Sequence, residues 1–242
     1  ADGRTLLVAD TAPHPTRRFW LARAAVEREI SGLARYPDQF ELIHSLAERH
    51  RLGMERILLG NGSNDLLDLV ARVFLGPGRS TVFSQYAFAV YPLASQGVGA
   101  TSIVTPARNG DFGHDLTAMQ AAIRPDTQVV WIANPNNPTG TWLPAAELHA
   151  FLKAVPERVI VVLDEAYNEY LPTARQGNAD PRPWLDEFSN LIITRTFSKV
   201  YGLAGLRIGY ALGSAEVIDL LNRLRQPFNV NNLALAAARA AL

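Results

Sequence analysis

Cysteine is missing from all 242 residues. That absence excludes disulfide stapling, a thiolate metal centre and a cysteine nucleophile. Net charge is missing too: Lys plus Arg and Asp plus Glu both number 23, so nothing favours a nucleic-acid partner or an anionic membrane surface. No apolar run approaches the roughly 18 residues of a membrane span, and the first residues carry no apolar signal-peptide core. Internal repeats and low-complexity tracts are also lacking. What is present is a chain with 48% hydrophobic residues, long enough to bury a sizeable core. These features predict a soluble, cytoplasmic globular enzyme with no metal site.

Short apolar runs alternate with helix-forming stretches along the chain. Arg18–Leu33 is rich in Ala, Glu, Arg and Leu and reads as a helix broken at Tyr36-Pro37-Asp38, because the residue before proline disfavours helical geometry. Helices are expected over Phe40–Arg51, Asp65–Phe74, Phe88–Gly97, Asp115–Ile123, Ala145–Val155, Glu216–Arg225 and the Ala-rich tail Leu233–Leu242. Strands are expected over Ser80–Ser84, Ala100–Thr105, Gln128–Ala133, Val159–Leu163, Leu191–Arg195 and Arg207–Ala211, and Ile57-Leu58-Leu59 is one more short apolar run. Such alternation predicts an α/β fold with a buried, mostly parallel central sheet flanked by helices. Arg175–Pro183 is polar with two prolines and reads as a surface loop.

Five segments carry candidate chemistry. Thr196-Phe197-Ser198-Lys199 follows an apolar strand and leads to Arg207. A lysine held in a pocket there has its neutral, nucleophilic amine favoured by desolvation. The Thr196 and Ser198 hydroxyls and the Arg207 guanidinium suit a phosphate monoester. The plain alternative is a surface lysine at a strand end. Asn134–Gly140 follows another apolar run, and ligands of open parallel sheets sit outside the carboxyl ends of strands. Asn137 can donate from that loop to a phenolate oxygen, although an ordinary Asn-Pro turn has the same composition. Asp164 ends the run Val159–Leu163 and precedes Glu165-Ala166-Tyr167. Its carboxylate needs a cationic partner there, such as a protonated pyridine nitrogen, unless it caps a helix. Gly60-Asn61-Gly62-Ser63-Asn64 leads into a helix, whose free N–H groups form a ready phosphate site. Of the aromatics Tyr86, Phe88 and Tyr91, only Phe88 is nominated to cover a flat ligand, with core packing assigned to the others.

Taken in order, seven segments resemble the fold-type-I pyridoxal-phosphate (PLP) enzymes, the aspartate-aminotransferase-like superfamily, and within it the histidinol-phosphate aminotransferases. They are residues 34–38, 60–65, 86–91, 134–140, 164–167, 196–210 and 227–234. The resemblance covers roughly 30–242. It implies that 31–242 form the PLP-binding large domain, with 1–30 as an N-terminal arm and helix, and that a smaller C-terminal domain lies outside these residues. It implies transamination of L-histidinol phosphate with 2-oxoglutarate, or else an aromatic-amino-acid aminotransferase, a threonine-phosphate decarboxylase or a non-catalytic PLP-fold protein. Lys199 resembles the Schiff-base lysine and Asp164 the partner of the pyridinium nitrogen. Asn137 and Tyr167 resemble the pair on the ring oxygen, Phe88 the stacking aromatic, and Ser63, Asn64, Thr196, Ser198 and Arg207 the phosphate cup. Tyr36 resembles a tyrosine that reaches the cofactor phosphate of a neighbouring subunit, which implies a homodimer. Two departures stand out: Ala9-Asp10-Thr11-Ala12-Pro13 replaces the family's Ser-Asn-Glu-Asn-Pro-like opening, and the stretch between Asp38 and Phe40 is short.

Overall fold

The computed structural model describes residues 17–171 and 182–242. The departure at Ala9–Pro13 lies outside these residues, as does most of the loop expected over Arg175–Pro183. Arg182 and Pro183 in fact open a short helix, where proline is tolerated because first-turn N–H groups have no intrahelical partner.

Seven strands form one sheet: β1 (Ile57–Gly60), β2 (Ser80–Ser84), β3 (Thr101–Thr105), β4 (Thr127–Ala133), β5 (Ile160–Asp164), β6 (Leu191–Thr196) and β7 (Gly209–Leu212). The spatial order is β1-β7-β6-β5-β4-β2-β3. All strand pairs are parallel except those that β7 makes with β1 and β6. The helices are α1 (Arg17–Glu29), α2 (Phe40–His50), α3 (Ser63–Phe74), α4 (Val90–Gly97), α5 (Leu116–Ala121), α6 (Ala145–Ala154), α7 (Arg182–Glu187), α8 (Ala215–Leu224) and α9 (Asn232–Ala241).

Successive strand residues face opposite sides, and both sides are covered. Val130, Ile132, Val161, Leu163 and Ile193 share one core with Leu42 and Leu46 of α2, Leu148 of α6 and Ala234 of α9. Val129, Trp131, Val162 and Ile192 share the other with Leu66, Leu67 and Val70 of α3, Tyr91 of α4 and Ile218 of α8. Double coverage explains why the central strands read as continuous apolar runs. The edge strand β3 departs from the expected burial, since Thr101, Ser102 and Val104 are exposed.

Two local features set up the site. The chain passes from β2 outward to β3 and returns to place β4 on the other side of β2. That reversal opens a crevice beyond the strands' carboxyl ends. Because β7 runs antiparallel, the residues before it lie at the same edge of the sheet. Arg207 therefore sits beside segments that follow the parallel strands. It adopts φ 54°, and the strand begins two residues later than the sequence pattern suggests.

Candidate active site

A pocket of about 190 Å³ opens at that edge. It is lined by Ser63, Asn64, Phe88, Asn137, Asp164, Tyr167, Thr196, Ser198, Lys199 and Arg207, together with Ala133, Pro135 and Ala166. Every nominated site residue except Tyr36 is therefore in one place. Tyr36 is 80% exposed, and its ring stacks on Phe228 with centroids 4.5 Å apart.

Asp164 lies at the pocket floor and is only 4% exposed. It is no helix cap: Tyr91 Oη donates to its Oδ2 at 3.0 Å and Thr194 Oγ1 donates to its Oδ1 at 3.0 Å. Thr194 is its register partner on β6. Burial pushes the Asp164 carboxyl above the usual carboxylate range, while the two hydroxyls, the Ala166 N–H and the Lys199 charge pull it back. A cation brought against this group would relieve the desolvation that works against its ionised form.

The loop after β4 shows why asparagine recurs in it. Asn134 closes the loop on itself, accepting from Leu143 N at 2.7 Å and donating to Leu143 O at 3.2 Å. Asn136 Nδ2 donates to Tyr86 O and to Thr139 Oγ1, both at 2.8 Å. Asn137 turns to the pocket instead, where its Nδ2 donates to Tyr167 Oη at 3.2 Å. Lys199 follows β6, and its Nζ sits 5.0 Å from the centroid of the Tyr167 ring. The ring and the amine thus face each other across the pocket.

The anion cradle is built around a glycine. Gly62 has φ +81°, and a Cβ there would fall 2.3 Å from Arg207 Nη2. Only a residue without a side chain lets the guanidinium lie over the start of α3. Gly209 has the same logic, since a Cβ there would meet Ser63 N at 2.6 Å. The first-turn N–H groups of α3 lack intrahelical partners, and Ser63 and Asn64 of that turn line the same pocket as Arg207. Arg207 Nη1 donates to Ser198 Oγ at 3.3 Å, and Thr196 Oγ1 receives the Ser198 N–H at 3.1 Å. Hydroxyl, backbone N–H and guanidinium together suit a phosphate dianion.

Sequence patterning did not reveal several supporting residues. Tyr91 and Thr194 are two. Asn229 is a third: its Nδ2 donates to Asp65 Oδ2 at 2.9 Å and to Leu59 O at 3.1 Å, so the 227–234 motif pins the start of α3. On the opposite side of the sheet from Asp164, Arg195 donates to Glu165 Oε2 from Nε at 2.9 Å and Nη2 at 2.7 Å. Burial pushes the Glu165 carboxyl up while that guanidinium pulls it back. His50, held down to about 3 by burial and by Arg195 and Arg49, is neutral and hydrogen-bonds Tyr210 Oη at 3.0 Å. Breaking such a buried ion pair from one side leaves an uncompensated charge, so the pair ties the carboxyl ends of β5 and β6 together. The signal for Tyr91 was its three-residue spacing from Phe88, which puts both on one side of a helical turn. Thr194 left no signal, because strand register is not written in a single sequence.

A buried carboxyl, an amine facing a phenol and an anion cradle at the switch point of an open sheet define the large domain of a fold-type-I, aspartate-aminotransferase-like protein. The chain belongs to the class I and II aminotransferase family, whose sequence model matches residues 10–242. One relative, histidinol-phosphate aminotransferase 1 of Dechloromonas aromatica, is 66% identical over 221 residues, covering 91% of this chain and 60% of its own. The histidinol-phosphate aminotransferase of Sinorhizobium meliloti, solved with pyridoxal-5'-phosphate, superposes with a TM-score of 0.87 at 30% identity. That match covers 99% of this chain and 62% of the solved one. L-threonine-O-3-phosphate decarboxylase of Porphyromonas gingivalis gives 0.79 at 25% identity over 96% of this chain and 67% of its own. The chain thus spans about 60% of the length of the curated relatives it matches. Among the described residues no helix is long and apolar enough to cross a membrane, and no cluster of His, Asp and Glu could hold a metal ion.

Proposed function

We propose that the protein of which this chain is the large domain is a PLP-dependent aminotransferase that takes the amino group from L-histidinol phosphate and delivers it to 2-oxoglutarate. The observation that carries the cofactor is Asp164, a buried carboxyl at the floor of a pocket whose far wall is the Gly62–Arg207 cradle. A pyridine ring with a phosphate arm and an aldehyde fits these groups. Ser63, Asn64, Thr196, Ser198 and Arg207 would hold the phosphate, and Asn137 with Tyr167 the ring oxygen. Phe88 would lie on the ring face, and Lys199 Nζ would hold the aldehyde carbon. When bound, PLP supplies an electron sink for the amino acid carbon. Asp164 would keep the proton on the ring nitrogen, which that sink requires. Lys199 Nζ, once released, would carry the proton between substrate carbon and cofactor. The substrate assignment is supported by the name and 66% identity of the Dechloromonas relative.

Tyr36 stands away from its own pocket on an exposed stack with Phe228. That position supports a homodimer in which it reaches the other subunit's cofactor phosphate. The same proposal places the enzyme in the cytoplasm.

The deciding experiment follows the visible absorption of the full-length protein with PLP while donors are added, with glutamate formation measured alongside. L-histidinol phosphate is expected to bleach the cofactor band and give glutamate from 2-oxoglutarate. Higher kcat/KM with aromatic amino acids moves the assignment to that class of donor. Carbon dioxide from threonine phosphate makes the protein a decarboxylase, and failure to take up PLP makes it a non-catalytic member of the fold.

Gly62→Ala tests the cradle. The new Cβ displaces the Arg207 guanidinium and sits at an unfavourable φ of +81°, costing about 1 kcal/mol of stability. PLP affinity in a fluorescence titration is expected to fall about tenfold through the weakened charge-assisted contact. Pyridoxal without its phosphate should bind the two proteins alike.

A further inference from the structure

We propose that Tyr91 is a positioning residue of this site, whose hydroxyl acts through Asp164 to keep that carboxylate ionised and aimed into the pocket. The proposal rests on the PLP function put forward above.

Tyr91 is fully buried on α4. Its ring lies parallel to Trp131, with centroids 5.2 Å apart and 8° between planes, and meets Phe88 edge-on at 5.8 Å and 84°. Two contacts thus fix the ring in both directions. Its hydroxyl reaches Asp164 Oδ2 at 3.0 Å, and Thr194 holds Oδ1 at the same distance. A donor on each oxygen holds the carboxylate's orientation from both sides. Phe88 lines the pocket, so one side chain braces both the wall that would cover a ring and the floor that would meet its nitrogen.

The donor cannot reverse its role. A phenol has one proton to give, and burial together with the Asp164 charge pushes the Tyr91 hydroxyl well above its ordinary range. It therefore stays protonated and donates wherever Asp164 is ionised. The groups that bear on Asp164 are Tyr91 from α4, Thr194 from β6, the Ala166 N–H beyond β5 and Lys199 beyond β6; its neighbour Glu165 adds like charge. Tyr91 Oη, Thr194 Oγ1 and the Ala166 N–H donate to its oxygens, with the Lys199 charge acting beside them. Removing one hydroxyl takes away a large share of what opposes the desolvation.

Tyr91→Phe keeps the ring, its stack on Trp131 and its edge contact with Phe88, and deletes only the donor. In the full-length protein, PLP affinity would be titrated between pH 5 and pH 9. Affinity depends on an ionised Asp164, so it has an acid limb. Loss of the donor raises the pH at which Asp164 takes a proton, and the limb is expected to move upward by about one pH unit. Above the limb the two proteins should bind within about twofold of each other. In an Asp164→Asn background, adding Tyr91→Phe should shift nothing further.

A merely structural Tyr91 predicts something else: a lower Tm with an unmoved acid limb. That result in Tyr91→Phe overturns the proposal and leaves the PLP site standing. Wild-type protein that takes up no PLP, or an Asp164→Asn variant that keeps the wild-type limb, overturns the functional proposal and this one with it.

Discussion

Full-length protein carrying Lys199→Ala is expected to fold normally, to bind PLP only reversibly, and to lose at least about 10⁴-fold in turnover, because the proposed function makes one side chain both covalent anchor and proton carrier. Lys199 lies in the turn after β6, outside both hydrophobic cores, and is only partly buried. Its deletion opens no core cavity, so stability should change by less than about 1 kcal/mol. The phosphate cradle, Asp164 and the Asn137–Tyr167 pair remain, which is why reversible binding should survive. Borohydride treatment followed by peptide mass mapping separates the two states. The wild-type protein should retain the cofactor mass on the peptide containing residue 199, and the variant should retain it nowhere. Wild-type turnover in the variant, or cofactor mass on another lysine, would remove Lys199 from the mechanism.

Lys199 and Asp164 were legible in the sequence for a simple physical reason. Asp164 ends one apolar β-branched run and Lys199 follows another by three residues, at the carboxyl edge of a doubly covered sheet. Ser80–Ser84 was bounded correctly for the same reason: its run is fully buried and turn residues flank it. The nominated pocket residues came from segments scattered between 63 and 207, and the parallel sheet brings all of them to one edge. Direction was harder to read. Arg207-Ile208 reads as strand by composition, yet Arg207 is left-handed and the strand is antiparallel, and that reversal is what delivers Arg207 to the cradle. Partners were harder still. The bond from Thr194 to Asp164 depends on a register offset of 30 residues between β5 and β6. The bond from Tyr91 depends on how α4 lies across Trp131. Gly62 was visible as a glycine, but its reason, the guanidinium that occupies the place of a side chain, exists only in three dimensions. Residues that line the pocket are constrained by chemistry and stand out by type. Residues that hold those residues are constrained by packing and look like ordinary core.

Asp164→Asn carries the second large effect, and its sign differs between cofactor-free and cofactor-loaded protein. Without cofactor the wild-type carboxyl is pushed up by burial. A folded state that binds a proton more tightly than the unfolded chain loses stability as pH rises from the ordinary carboxylate range through the raised value. Asparagine does not titrate, so the variant should lack that slope. Its carbonyl oxygen can still accept from Thr194, while its amide turns toward Tyr91 Oη, which can accept as well as donate. The cofactor-free variant should therefore be at least as stable as wild type at neutral pH, as read from Tm against pH. With PLP the order inverts. A pyridine nitrogen facing an amide has no reason to stay protonated, and a buried charge pair broken from one side costs about 3–5 kcal/mol. Cofactor affinity should fall about 10²–10⁴-fold, and turnover at saturating PLP should fall further, since a neutral ring withdraws electrons poorly. Equal affinity in the two proteins would mean that the floor of the pocket does not meet a cation. A loss of affinity matched by a loss of cofactor-free stability would mean that Asp164 is a structural residue whose removal merely loosens the sheet.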